Sequence, residues 1–155
     1  ELVLLVKKIC ELIESGADFE TVVEKAELYS RHTHVVFALS SFNNLVKNGR
    51  MSKIVGFVAN KLGFWGIGIG SEQGTIEIKQ KIRGSKKALD AIIEDMKERG
   101  YNCGKVVISH CRNAEFAESV KSAIQSVWDK AEVKIVHARG LCSYYAEKGG
   151  LIIGF

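Results

Sequence analysis

The stretch WGIGIGSEQGTIEIKQKIR (residues 65–83) decides how this chain folds. Gly66, Gly68 and Gly70 alternate with Ile67 and Ile69, so a strand here carries one apolar face and one bare face. Ser71-Glu72-Gln73-Gly74 supplies a turn. Beyond it the alternation is strict, with Ile76, Ile78 and Ile82 facing in and Glu77, Lys79, Lys81 and Arg83 facing out. That pattern predicts a hairpin with one solvated face, and a hairpin brings antiparallel pairing into whatever sheet it joins.

Outward from the hairpin, HVVFALS (34–40), KVVISH (105–110), EVKIVHA (132–138) and GLIIGF (150–155) read as further strands. Leu2, Leu5, Val6, Ile9, Leu12 and Ile13 recur at helical spacing and stop at Gly16. Asp18 is placed to cap a second helix that turns Val22, Val23, Ala26 and Tyr29 inward. Ser40 or Ser41 caps a brief helix through Leu45 and Val46 that ends at Asn48-Gly49, and Ser52 starts another carrying Ile54, Val55, Phe57, Val58 and Leu62. Ser85 caps a helix with Leu89, Ile92, Ile93 and Met96 inward, closed by Gly100. Asn113 caps one carrying Phe116, Ala117, Val120, Ala123, Ile124 and Val127. The expected fold is α/β: a mixed β-sheet with an antiparallel hairpin, packed by helices. Residues 1–32 form a helical lead-in, and 33–155 form one α/β unit.

Composition bounds the function. The chain has 155 residues, 46% hydrophobic and 26% charged, with 15 glycines and no proline. That is a globular balance in which glycine must make the turns. A net charge of +4 is mild for a nucleic-acid binder. The apolar run Leu2–Val6 is too short to span a bilayer. Cys10, Cys103, Cys111 and Cys142 form no CxxC pair, which points to reduced thiols and a cytoplasmic setting. The chain opens at Glu1 inside a helical pattern, as though it continued from something longer.

Several motifs invite chemistry. The glycine cluster lacks the third glycine of a dinucleotide fingerprint, since Ser71 stands there, and it precedes a strand. Its bare face fits close packing or ligand space equally well. Cys111 or Cys142 could serve a cysteine-dependent enzyme, but His110 and Cys111 are strand neighbours pointing to opposite faces. His32 and His34 share a strand face without further metal ligands nearby, so no metal site is expected. Lys79, Lys81, Arg83, Lys86 and Lys87 would be the surface of a nucleic-acid- or protein-binding module, yet no aromatic residue interleaves them for base stacking. NLVKNGRMSK (44–53) is different in kind: Asn48-Gly49 turns the chain and fixes Arg50 immediately after it. Such a guanidinium suits an anionic group or backbone carbonyls across a domain boundary.

At that segment the chain resembles the C-terminal domain of the bacterial DegV family of fatty-acid-binding proteins. Gly49-Arg50-Met51-Ser52-Lys53 is similar to the family's G-G-R-I-S-K motif. LVKKICELIESGADFETVVEKAELYSRHTHVVFAL, GTIEIKQKIRGSKKALDAIIEDM, VVISH and RGLCSYYAEKGGLIIGF follow the family's other segments in order. The resemblance implies a non-enzymatic carrier with no cofactor. It would hold a long-chain fatty acid between this domain and its own N-terminal domain, and present the carboxylate to a fatty-acid kinase. The expected ligand-facing residues are Arg50, Ser52, Phe37, Phe57, Val58, Gly66, Gly68, Cys142, Ser143 and Tyr144. Cys142 stands in the place of the family's carboxylate-binding histidine, so either the ligand differs or Ser143, Tyr144 or Tyr145 takes over that role. An isolated domain with an apolar wall is expected to self-associate.

Overall fold

A central strand, Val35–Leu39, is paired on both sides by antiparallel neighbours, and the rest of the chain is built around it. The computed structural model describes residues 2–50, 64–70 and 76–155. Among these, β1 (Val35–Leu39), β2 (Phe64–Gly70), β3 (Ile76–Arg83), β4 (Lys105–His110), β5 (Glu132–His137) and β6 (Leu151–Gly154) form one sheet in the order β3-β2-β1-β6-β4-β5. Only the β4–β5 pair is parallel, and a helix crosses between those two strands. The helices are α1 (Leu2–Glu14), α2 (Phe19–Arg31), α3 (Asn43–Lys47), α4 (Ser85–Glu98), α5 (Ala114–Val127) and α6 (Gly140–Ala146). This is the mixed, helix-packed sheet that the hairpin predicts. No described helix is long and apolar enough to cross a membrane.

One sheet face makes the main core. Val36, Ala38, Ile67, Val106, Ile108, Leu151 and Ile153 pack against Ala88, Ile92 and Met96 of α4 and Phe116, Val120 and Ile124 of α5. The 3.6-residue period of both helices supplies that apolar stripe. Gly100, at φ +74°, ends α4 with paired hydrogen bonds from Gly100 N–H to Lys97 O and Tyr101 N–H to Met96 O. Three expectations about caps and faces change. The cap of α4 is Gly84, with Ser85 already helical. Asn113 caps α5 without its side chain, which donates instead to Gly149 O at 2.7 Å. Asp18 does cap α2, accepting from Thr21 N–H at 2.8 Å, but Val23 of that helix is exposed.

The hairpin carries a correction. Ile67 pairs with Gln80 and Gly68 with Ile78, so Lys79 is an extra residue in β3. A one-residue bulge flips every side chain beyond it. Ile78 therefore joins the opposite face of the sheet, whereas Ile82 packs on the main core. Lys79 does not point to open solvent: its ammonium lies 2.8 Å from Asp95 and 3.0 Å from Glu98. Arg99 completes the charge balance at 3.0 Å from Asp95, whose carboxylate is only 4% exposed. Both carboxylate contacts favour the charged amine and raise the Lys79 pKa.

The second face holds Phe37, Leu39, Phe42, Leu45 and Ala146, with Ile78, Tyr145 and Ile152 against them. Here the glycines of β2 find their reason. A side chain at Gly66 would strike the Phe42 ring, and one at Gly68 would strike both the Phe37 ring and the Glu77 carbonyl. The bare strand is a recess for two aromatic rings. A methyl at residue 68 would sit 2.7 Å from Phe37 Cζ, whereas at Gly70 the nearest atom is Val35 Cγ1 at 3.2 Å. Gly68→Ala should therefore lower unfolding free energy in urea by about 1–3 kcal/mol. Gly70→Ala should cost clearly less, and equal costs would contradict the recess.

His110 ends β4 on the main-core side and is 3% exposed, with His137 beside it at a ring separation of 4.5 Å. Its Nδ1 accepts from Asn113 N–H at 3.1 Å. Burial first, and His137 second, hold its pKa below that of an ordinary histidine. The fold thus favours the neutral ring, so this stabilisation is complete above the unfolded pKa and is lost as pH falls below it. Urea midpoints measured from about pH 7 to pH 5 should fall more steeply for wild type than for His110→Gln. Parallel curves would contradict this.

Candidate functional site

The local sequence places Arg50. Helix α3 ends at Lys47 with Asn48 as its C-cap, and Gly49 follows at φ +67°, a conformation glycine takes without strain. Gly49 N–H donates to Val46 O at 3.1 Å and Arg50 N–H to Leu45 O at 2.9 Å, the paired bonds of a Schellman turn. The turn delivers the guanidinium to Tyr145: Arg50 Nε donates to the phenol oxygen at 3.0 Å, and Cζ lies 5.2 Å from the ring centroid.

Tyr145 belongs to α6, a helix that the sequence periodicities do not predict. Two short helices, α3 and α6, are tied to each other by side chains. Asn44 Nδ2 donates to Tyr144 O at 2.7 Å, and Asn48 Nδ2 donates to the Tyr144 hydroxyl oxygen at 2.9 Å. Glu147 spans both helices. Its Oε1 accepts from Asn44 N–H at 2.8 Å, and its Oε2 accepts from the Ser41 hydroxyl at 2.6 Å. It therefore performs the capping expected of Ser40 or Ser41; the cap residue itself is Phe42, which makes no side-chain cap bond. Glu147 does so at φ 52° and ψ 175°, a backbone region that costs a non-glycine residue roughly 1–3 kcal/mol. A strained residue persists there because its carboxylate satisfies two donors at once.

Under the paired helices lies an apolar pocket of about 70 Å³, walled by Phe37, Leu39, Leu45, Ile76, Tyr145, Ala146 and Ile152. Elements β1, α3, β3, α6 and β6 all contribute, and the Tyr145 ring forms its boundary with Arg50. Larger concavities exist elsewhere, such as one of about 410 Å³ beside Leu4 and Val107. That one is bordered by Lys7, Lys105, Lys121 and Lys134, so it offers no continuous apolar wall.

The expected residues divide accordingly. Phe37 lines the pocket and Arg50 stands at its rim. Gly66 and Gly68 lie beneath the Phe42 and Phe37 rings, so they shape the wall from behind and leave no ligand space of their own. Tyr144 is on the rim but is not among the wall residues. The Ser143 hydroxyl donates back to Gly140 O at 2.8 Å, and Cys142 is exposed. Ser52, Phe57 and Val58 lie outside the described residues. Cys111 directs its thiol to Ser143 O at 3.8 Å, while His110 faces the main core, so the two form no nucleophile–base pair. Sequence reading missed Leu39, Leu45, Ile76, Ala146, Ile152 and Glu147 as parts of this site. The alternation of β6 could have found Ile152, which pairs with Phe37. Nothing local could have found Glu147.

Comparison with known proteins places this geometry. A family model described as "Uncharacterised protein, DegV family" matches residues 1–155. A DegV domain-containing protein of Streptococcus pyogenes serotype M1 is 43% identical over 155 residues, covering 100% of this chain and 55% of that protein. The crystal structure of the Streptococcus pneumoniae Fatty Acid Kinase (Fak) B3 protein, loaded with linoleic acid, superposes with a TM-score of 0.96 at 41% identity, over 100% of this chain and 55% of its own. A DegV family protein from Eubacterium eligens, loaded with heptadecanoic acid, gives 0.94 at 36% identity, over 97% and 55%. The chain thus spans little more than half the length of these relatives. With the family model matched from end to end and the fold shared with these solved structures, the chain belongs to the DegV family.

Proposed function

We propose that this chain is the lipid-facing C-terminal part of a fatty-acid-binding protein that holds a long-chain fatty acid against the Phe37 face of its sheet. The observation that carries the reading is the apolar pocket with a cationic, hydrogen-bonding rim at Arg50 and Tyr145. The two loaded relatives support it, since linoleic and heptadecanoic acids are bound by proteins of the same fold. Each methylene removed from water contributes about 0.8 kcal/mol, so an acyl chain needs few polar contacts.

The volume sets a limit on what these residues do alone. About 70 Å³ is little more than twice the ~30 Å³ share of one liquid water molecule, so the pocket takes only a short part of a long acyl chain. The remaining wall comes from outside the described residues, including the protein's own N-terminal domain. In this account the protein is a carrier, and the exposed rim presents the carboxylate to a fatty-acid kinase. The isolated chain, lacking its covering domain, self-associates through the open apolar wall. A cysteine enzyme is disfavoured because the Cys111 thiol faces a carbonyl and not a base. A nucleic-acid surface is disfavoured because Lys79, the first residue of its basic run, is committed to Asp95 and Glu98.

Native mass spectrometry of the full-length protein as purified tests the reading. A co-purified fatty acid mass is expected for wild type, and its loss is expected in Ile152→Trp, which fills the pocket. Wild type free of lipid, or an Ile152→Trp variant that retains it fully, would contradict the proposal.

A further inference from the structure

We propose that His110 is a pH-sensitive latch on the paired helices α3 and α6: the neutral ring holds the connection that leads out of α6, and protonation loosens the cover of the second-face pocket. Such a latch acts whatever the pocket holds. The ring sits where β4, α5 and the α6–β6 connection meet. It is 3% exposed, and its Nδ1 accepts the Asn113 N–H at 3.1 Å at the positive end of α5. The neutral ring therefore carries its proton on Nε2.

Asn113 passes this contact on. Its Nδ2 donates to Gly149 O at 2.7 Å, while Gly149 N–H donates to Cys111 O at 2.8 Å and Cys111 N–H to Gly150 O at 2.9 Å. Little slack separates that knot from the cover. A side chain at Gly150 would strike the Ala146 carbonyl, and one at Gly149 would sit 2.6 Å from Ser40 Oγ. Ala146 walls the pocket, and the Glu147 carboxylate joins Ser41 to the first amide of α3. The non-glycine residues described at positive φ, Arg112 and Glu147, both flank this knot at 52°. Strain at both favours its release.

A proton on Nδ1 would set a donor against the Asn113 N–H, where an acceptor now stands. The surroundings do not compensate. On β5, His137 faces the ring at 4.5 Å and adds like charge, and on β6 the register partner is Leu151. At the start of α5, Arg112 and Glu115 are exposed; beyond α6, Lys148 is exposed and Glu147 is committed to Ser41 and Asn44. Helix α1 packs on β4 with its charge directed elsewhere, Glu11 pairing with Lys105. Burial, then His137, depresses the His110 pKa, so the latch is complete at neutral pH and is lost as pH falls below the ordinary histidine value.

Hydrogen exchange of the full-length protein at about pH 7.5 and pH 5, corrected for intrinsic amide rates, tests the latch. At the lower pH the amides of Asn44, Glu147 and Gly149 should lose protection about tenfold, the scale of one hydrogen bond, with little change inside α4. The midpoint should coincide with the His110 ring titration followed by NMR. His110→Asn keeps an acceptor near the Nδ1 position without taking the proton, so its cover should be equally protected at both pH values. Asn113→Ala cuts the tie to Gly149 but leaves its amide on the ring; its cover should be loose at both pH values while His110 still titrates. A wild-type pH response in either variant would overturn the latch. So would a midpoint that follows His137, a wild-type cover unchanged by pH, or loosening that extends equally to α4.

Discussion

Two phenylalanine rings seated on glycines set the depth of the functional face. Phe37 lies over Gly68, and Phe42 over Gly66, where any β-carbon would drive the rings outward. Because Phe42 immediately precedes α3, its seat also fixes where that helix begins. Leu45, buried one turn on, holds the helix against the sheet. The Schellman turn then decides where Arg50 stands. A chain of short-range constraints thus runs from two glycines in one strand to a guanidinium at the rim of a pocket.

A helix of five residues cannot support itself in water, since nucleation costs more than so few hydrogen bonds return. Helix α3 exists because its apolar side is buried and its N-terminal amide is satisfied from far along the chain by Glu147. The strain at Glu147 is the cost of placing one carboxylate between Ser41 and Asn44. With α6 bound to α3 through Tyr144 and Tyr145, the two helices behave as one cover over the pocket.

How far the sequence foretold this depends on the range of the interactions involved. Strand and helix identities were legible because they rest on periods of two and 3.6 residues, and KVVISH at 105–110 matches β4 residue for residue. Arg50 was legible because Asn48-Gly49 is a local turn signal. The bulge at Lys79 was not, since an unbroken alternation conceals an extra residue until its partner strand is known. The glycine strand left packing and ligand space undecided; the rings that fill it come from residues about 25–30 positions earlier in the chain. Glu147 was beyond reach for the same reason, because its partners lie more than 100 residues away in sequence. Helix α6 was not legible because Gly140, Cys142, Ser143 and two tyrosines carry little helical signal, and its form depends on docking against α3.

What emerges is a sheet with a conventional core on one side and a thin apolar chamber, polar at one edge, on the other. The most direct measurement of that division of labour is NMR contact mapping between a carbon-labelled fatty acid and methyl groups of the full-length protein. The account predicts through-space contacts from the acyl chain to the methyls of Leu39, Leu45, Ile76 and Ile152, and none to Ile108, Ile124 or Ile153. Contacts confined to the core-side methyls, or to none of the pocket residues, would contradict it.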